Sequence, residues 1–339
     1  MSHIEVGREL FGKVLEPGAP VQTGPLTVVP LFGAVRGGEY RLAADAFADG
    51  TLSIEEVGGG VVPQLVARNR GDLPVLLLDG EHLQGARQDR VLNGSALVAP
   101  HHDTVIPVSC VERGRWHYEE RADFAQAPYL AFTQLRAMNR ARVSEHLRAG
   151  LGRAGNQQEV WQAVAARGLA VGARSATGAM RDAFEWRRGS LEGVLEAIGA
   201  PVAGQTGVVA CIGGRPVALD AFDRPETLAN LWTRLVTGYA MDALGRAPAR
   251  VDMERILRFV RAPATAPTTL HEGIGLGMDV VVSGDGLVGG ALVWQAGVIH
   301  AAEFRTDTRQ GNRIDRGHQI ESPRQRARAR RHFHEPRED

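Results

Sequence analysis

TGVVACIGGRPVALDAF, Thr206 to Phe222, decides the fold. Two apolar runs flank Gly213-Gly214, a pattern that reads as two strands joined by a tight hairpin. The stretch before it is helical and the stretch before that is β. Short segments rich in Val and Leu, such as LTVVPLFG, TLSIEEV and LPVLLL, fill residues 20–120 and are separated by Gly, Pro, Asn and Asp. No helical period lies between them, so a βαβ pattern is not expected.

Working outward from the hairpin, Pro128 opens a helical run with Leu130, Phe132, Leu135, Met138 and Val143 on one face. Asn156 and Glu159 form a capping box, and Gly168 is the expected stop. A further run carries Met180, Phe184, Leu191, Leu195 and Ile198, ending at Gly199. After the hairpin, Asp223 is a natural N-cap for the run from Leu228 to Ala240, with Pro225 in its first turn. DVVVSGDGLVGGALVWQAGVIHAAEF then returns to strands.

Strands that return after helices are most simply explained if they complete the first sheet. The expected fold class is α+β. A mostly antiparallel sheet or sandwich forms from the N-terminal third and the C-terminal strands, with a central helical segment packed on it. Residues 1–305 are expected as one domain: strands 20–120, helices 128–199, hairpin 205–222, helices 223–261 and strands 277–304. The tail 306–339 has nine arginines against six acids and almost no apolar residues, so it is expected to be a disordered, Arg-rich segment.

Composition bounds the function. The 339 residues are 44% apolar with no net charge, so no global field calls for nucleic acid or a membrane, and nucleic acid is not the expected partner. Lys13 is the single lysine, a bias that fits a GC-rich genome. Two cysteines, Cys110 and Cys211, make no disulfide framework and no zinc spacing. MSHIEVGREL lacks signal-peptide character and no apolar run reaches the roughly 18 residues of a membrane span, so a cytoplasmic protein is expected.

Strong catalytic signatures are absent: GxSxG, HExxH, a Walker loop and CxxC. His101-His102-Asp103 suggests metal chemistry, but adjacent residues of an extended chain point to opposite sides, so a solvated turn is expected and no metal. Cys110 and Arg115 are one residue too close for a phosphatase loop. His300 alternates with apolar neighbours and reads as an internally bonded strand histidine. Nothing in these motifs names a cofactor.

The richest polar run is DGEHLQGARQDR, Asp79 to Arg90, followed by VSCVERGRW, Val108 to Trp116. Gln88 and Arg90 share a face of an extended chain, an amide beside a guanidinium that matches phosphate or carboxylate. Glu112, Arg115 and Trp116 end the next strand but one and converge with them if the strands are neighbours. The alternative is the wet face of a sheet, where a cross-strand pair contributes a few tenths to ~1 kcal/mol.

LLDGEHLQGARQDRVLNGSALV followed by IPVSCVERGRW resembles the core motif of the ARG and rhodanese-phosphatase-superfamily-associated domain family, where ARG stands for ADP-ribosylglycohydrolase. The likeness continues through VWQAV, SATGAM, GQTGVVACIGGRPVALDAFDRPE and YAMDAL, spanning roughly residues 20–305. Matching positions are Asp79, Gly80, Glu81, Gly85, Ala86, Gln88, Arg90, Asn93, Ser109, Cys110, Glu112, Arg115 and Trp116, with Asp220, Phe222 and Asp223 in a later motif. The resemblance implies a place near ADP-ribose or nucleotide metabolism and supplies no mechanism.

Two functions follow as expectations. In the first, the protein binds an ADP-ribose-like or other phosphorylated small molecule, with hydrolysis as a further option. Asp79, Glu81, Gln88, Arg90, Asn93, Glu112, Arg115 and Trp116 form the binding set. Glu81 and Glu112 are the acid/base candidates, and Trp116 stacks a base. In the second, the chain is a non-enzymatic module that partners an ADP-ribosylglycohydrolase-like enzyme. A third option is metal-assisted hydrolysis through His101 or His102.

Overall fold

A computed structural model describes residues 15–33, 36–58, 63–117, 123–284 and 286–306. The expected tail disorder lies outside these residues. The hairpin around Gly213-Gly214 sits in a nine-stranded antiparallel sheet. Gly207–Ile212 pairs with Arg215–Phe222 on one side and Leu26–Phe32 on the other. Gly213 and Gly214 both take positive φ, 56° and 75°, which a two-residue turn of this hand requires. Beyond Arg215–Phe222 come Gly297–Arg305, Leu287–Trp294, Met278–Gly284 and Thr268–Glu272. The C-terminal strands therefore extend the sheet that Leu26–Phe32 begins, whereas the strands from Arg41 to Cys110 lie in two other sheets rather than joining it as expected.

Both faces of this sheet are covered, and period-two alternation assigns each side chain to one of them. Val28, Val208, Ala210, Ala218 and Phe304 face a core shared with the helices Thr133–Arg148, Gln157–Val171, Met180–Trp186, Arg188–Ile198 and Pro225–Ala243. Val29, Val209, Cys211 and Leu219 face a second core closed by the helix Met253–Arg261 through Ile256, Phe259 and Val260. A third core lies among the remaining N-terminal strands. There a six-stranded antiparallel sheet runs in the order Phe124–Leu130, Glu81–Gly85, Arg90–Leu92, His102–Cys110, Gln64–Asn69, Leu52–Glu56. A four-stranded sheet of Ile274–Gly275, Ala96–Val98, Val75–Leu77 and Arg41–Leu42 accompanies it, and its two outer pairs are parallel.

Several element boundaries differ from the sequence reading. Residues 124–130 are strand, and the helix starts at Thr133. The pairing with Glu81–Gly85 shifts register between Gln126 and Leu130, and Pro128, which has no N–H to give a ladder, falls in that irregularity. A six-residue helix, Ala43–Ala48, interrupts the β third; it is too short to display a 3.6-residue period. Asn156 caps its helix, accepting from the N–H groups of Gln158 and Glu159, but the stop is the left-handed Gly172, not Gly168. Asp223 does not cap the Pro225–Ala243 helix. Its carboxylate instead accepts from the Tyr40 hydroxyl at 2.5 Å and the Gly37 N–H at 3.0 Å.

Candidate functional site

The strands Glu81–Gly85 and Arg90–Leu92 form a hairpin in which His82 faces Val91 and Leu83 faces Arg90. The intervening loop starts with Gly85 at φ 125° and Ala86 at φ 42°. A β-carbon on Gly85 would come within 2.5 Å of the Asp123 carbonyl oxygen, so glycine is required there.

Arg115 closes the loop from below. Its guanidinium donates to the carbonyls of Ala86 at 2.6 Å and Gly85 at 3.4 Å, and to Asp89 Oδ1 at 3.2 Å. Its Nε donates to Glu112 Oε2 at 2.9 Å. Glu112 also accepts from the Asp89 N–H at 3.2 Å and the Thr177 hydroxyl at 2.8 Å. Asp89 Oδ2 lies 3.3 Å from His82 Nε2. Burial opposes the charge of Asp89, but His82 and Arg181 outweigh it and hold its carboxyl below the usual range. Asp89, Glu112 and Arg115 are all buried.

Gln88 and Arg90 do share a face, as their spacing predicts. Arg90 Nη1 donates to Gln88 Oε1 at 3.1 Å, and the Cys110 thiol donates to the same oxygen at 3.2 Å. Gln88 Nε2 reaches the Glu112 carbonyl at 2.9 Å. Cys110 stands directly across the ladder from Arg90. Arg90 is 1% exposed, yet among the described residues no carboxylate lies at ion-pairing distance from it and its Nε has no hydrogen-bond partner. The other six buried arginines each have a carboxylate: Arg115, Arg136, Arg140, Arg167, Arg224 and Arg234 pair with Glu112, Asp220, Asp279, Asp242, Asp223 and Glu81. Burial lowers the pKa of Arg90 below the ordinary arginine value. The Trp161 indole N–H is near enough to the Cys110 sulfur to favour its charged form but meets no acceptor with hydrogen-bond geometry among the described residues.

Asp79, Glu81 and Asn93 go elsewhere. Glu81 accepts from the Leu78 N–H at 2.8 Å and lies 3.0 Å from Arg234 Nη2. Asn93 Oδ1 accepts from Ser109 at 2.8 Å and Asn139 at 2.7 Å. Both carboxyl oxygens of Asp79 are buried and unpartnered among the described residues. Burial raises the Asp79 carboxyl above the usual range despite Arg136 and Arg140 nearby. Gly80 makes room for a side chain of the same chain. A β-carbon there would come within 2.6 Å of Arg136 Cγ and Cδ. Trp116 is 48% exposed, with the Arg87 guanidinium 5.7 Å from its ring centre.

The eight residues chosen from sequence thus divide. Gln88, Arg90, Glu112 and Arg115 assemble around Asp89 and Cys110; Asp79 lies by a second polar centre; Glu81 pairs with Arg234 and Asn93 bonds Ser109 and Asn139; Trp116 stands at the surface. Sequence reasoning passed over that second centre's other members. Asp220 accepts from Arg136 at 3.0 and 2.6 Å, from the Tyr239 hydroxyl, and from His300 Nε2 at 3.0 Å. Burial works against the Asp220 charge, but Arg136 and the His300 bond overcome it and hold the carboxyl far below its usual range. His300 being internally bonded agrees with the strand reading, but no sequence signal names its partners.

His101 lies 3.0 Å from Asp72 and His102 lies 2.7 Å from the Pro100 carbonyl, so the two rings serve different neighbours. Among the described residues no group of three or more His, Cys, Asp or Glu is placed to hold a metal. No described helix is long and apolar enough to cross a membrane.

Comparison with known families finds one match. The description is "ARG and Rhodanese-Phosphatase-superfamily-associated Protein domain", and it covers residues 14–304. No curated protein and no solved structure matches the chain.

Proposed function

The chain belongs to the ARG and rhodanese-phosphatase-superfamily-associated protein domain family, and on that premise we propose that it binds an ADP-ribose-like, phosphorylated small molecule through Arg90. The family association suggests a link to ADP-ribosyl metabolism. One observation carries the choice of Arg90: among the described residues it alone of the buried arginines has no carboxylate at ion-pairing distance. An unpaired buried charge costs several kcal/mol, so a chain that keeps one has a use for it. An anionic group of the ligand supplies the missing charge, accepting from Arg90 Nε and from the Trp161 N–H.

Gln88 orients Arg90 and offers its amide beside it. Trp116, exposed next to Arg87, gives a base a surface to stack on. Asp79, whose buried carboxyl has no partner among the described residues, suits a ribose hydroxyl once a path to it opens. Glu81 and Glu112 each already accept from a backbone N–H and stand against an arginine, so the proposal is binding and assigns them no proton transfer. Arg90 is enclosed in the free protein, and binding has to open a path to it.

The test is a thermal-shift titration with ADP-ribose, ADP and inorganic phosphate at millimolar concentration. The wild type is expected to shift upward, by roughly 2.7 kcal/mol of stabilisation at a hundred times Kd, and Arg90→Met to lose that response. No shift with any of the three, or an equal shift in the variant, removes the reading.

A second reading is favoured by the Arg115 cluster. Asp89, Glu112 and Arg115 are spent on one another and on the loop carbonyls, which braces a largely buried loop and leaves those groups unavailable to a ligand. A non-enzymatic module that partners an ADP-ribosyl-processing enzyme would use the loop this way. Co-purification with an ADP-ribosylglycohydrolase, lost in Trp116→Ala, supports it.

A further inference from the structure

Three segments far apart in the chain meet around one histidine. Ser95 Oγ lies 2.7 Å from His300 Nδ1, and His300 Nε2 lies 3.0 Å from Asp220 Oδ1. Strand register creates this meeting. Phe222 is the cross-strand partner of His300, and Asp220 that of Ala302, which puts Asp220 and His300 on one face of the nine-stranded sheet. Ser95 arrives from the loop before Ala96–Val98.

The protonation pattern follows from the bonds. Asp220 also accepts from both guanidinium nitrogens of Arg136 and from Tyr239, so it is an ionised acceptor. In the neutral ring the proton therefore sits on Nε2, facing Asp220, and Nδ1 is the acceptor of the Ser95 hydroxyl proton. The ring is held flat against Phe222, with centroids 4.9 Å apart and planes at 19°. The Asp79 N–H donates to Ser95 Oγ at 3.0 Å, which fixes the hydroxyl from the other side. His300 and Asp220 are buried, whereas Ser95 is half-buried, the one member of the three with exposed surface.

We propose that Ser95, His300 and Asp220 form a nucleophilic centre that cleaves carboxylic esters, an activity separate from anion binding at Arg90. Ser95 Oγ attacks the ester carbonyl carbon while its proton passes to His300 Nδ1. The imidazolium that forms is stabilised by ionised Asp220 at Nε2–H. The tetrahedral adduct collapses, the bond from carbon to the alcohol oxygen breaks, and that oxygen takes the proton from Nδ1. Water then attacks the acyl-serine, giving its proton to Nδ1. Release of the carboxylic acid returns the proton to Ser95 Oγ. The Asp79 backbone N–H holds the serine oxygen, while its own carboxyl is buried with neither oxygen engaged among the described residues.

Fluorophosphonate labelling of the full chain tests this without knowledge of the natural ester. The wild type is expected to gain one phosphonyl group, found by mass spectrometry on the peptide containing Ser95, and to hydrolyse p-nitrophenyl acetate above background. Ser95→Ala is expected to melt as the wild type does, take no label and lose the hydrolysis by ~10²-fold or more. His300→Gln keeps the serine and is expected to be folded and unlabelled. An unlabelled but folded wild type, or a label that persists in Ser95→Ala, overturns the proposal. The ADP-ribose response of Arg90 is read separately, so either result can fail while the other stands.

Discussion

Arg90 and Arg115 belong to the same polar hairpin and each is 1% exposed, yet they live under opposite conditions. Arg115 pairs with two carboxylates and donates to two loop carbonyls. Arg90 has an amide oxygen, two distant carbonyls and no acid. Burial alone therefore says little about a charged residue. What separates scaffold from site is whether the neighbours complete its hydrogen bonds. The hardest test of that contrast is Arg115→Met. Removing this guanidinium strands Asp89 and Glu112 in the interior, and a loss of about 3–5 kcal/mol is expected in urea melts. A loss under 1 kcal/mol would mean the cluster does not hold the loop.

The contrast also explains what could be read from sequence. The α+β class was legible because alternation, the Gly213-Gly214 turn and the Asn156 cap are local signals. Arg90 beside Gln88 was legible too, since a two-residue spacing sets a shared face. The division of the polar run was not. Asp79 and Glu81 sit only a few residues from Gln88, and which centre each joins depends on Arg136, Arg234 and Asp220, brought in by helix packing and strand register. His300 read as internally bonded and Asp220 as a motif position, but their meeting with Ser95 was not legible because separations of 205 and 80 residues follow no period. Asp223 looked like a helix cap because a cap needs only local sequence, whereas its actual donor Tyr40 lies 183 residues away.

Glu303 extends the contrast to the other face of the nine-stranded sheet. It lies across from Leu219, 3% exposed, with both carboxyl oxygens lacking partners among the described residues. Burial raises its carboxyl well above the ordinary 4.5. The folded state thus holds the proton more tightly than the unfolded chain does. Below the ordinary value both states are protonated and the full stability is present. As pH rises from there through the folded value, the unfolded chain gains by ionising and stability is lost. Glu303→Met keeps the volume and removes the carboxyl, so a gain of about 1–3 kcal/mol is expected at pH 8 and almost none at pH 4. Denaturant melts at the two pH values decide it, and a variant weaker than wild type at pH 8 would give Glu303 a bonded role.

Arg90→Met is the smallest expected change and the one that bears most on function. Gln88 Oε1 keeps the Cys110 thiol as a donor at 3.2 Å, so the substitution orphans little. It removes an unpaired buried cation and an Nε without an acceptor. The free protein should therefore gain about 1 kcal/mol, the reverse of Arg115→Met, while losing its response to ADP-ribose. Gain of stability with loss of binding is the signature of a group kept for a ligand at the expense of the fold. If Arg90→Met instead loses more than about 2 kcal/mol, Arg90 holds the hairpin as Arg115 does. The distinction between the two arginines then disappears, and the ligand has to be sought near Asp79, whose buried carboxyl also lacks a partner among the described residues.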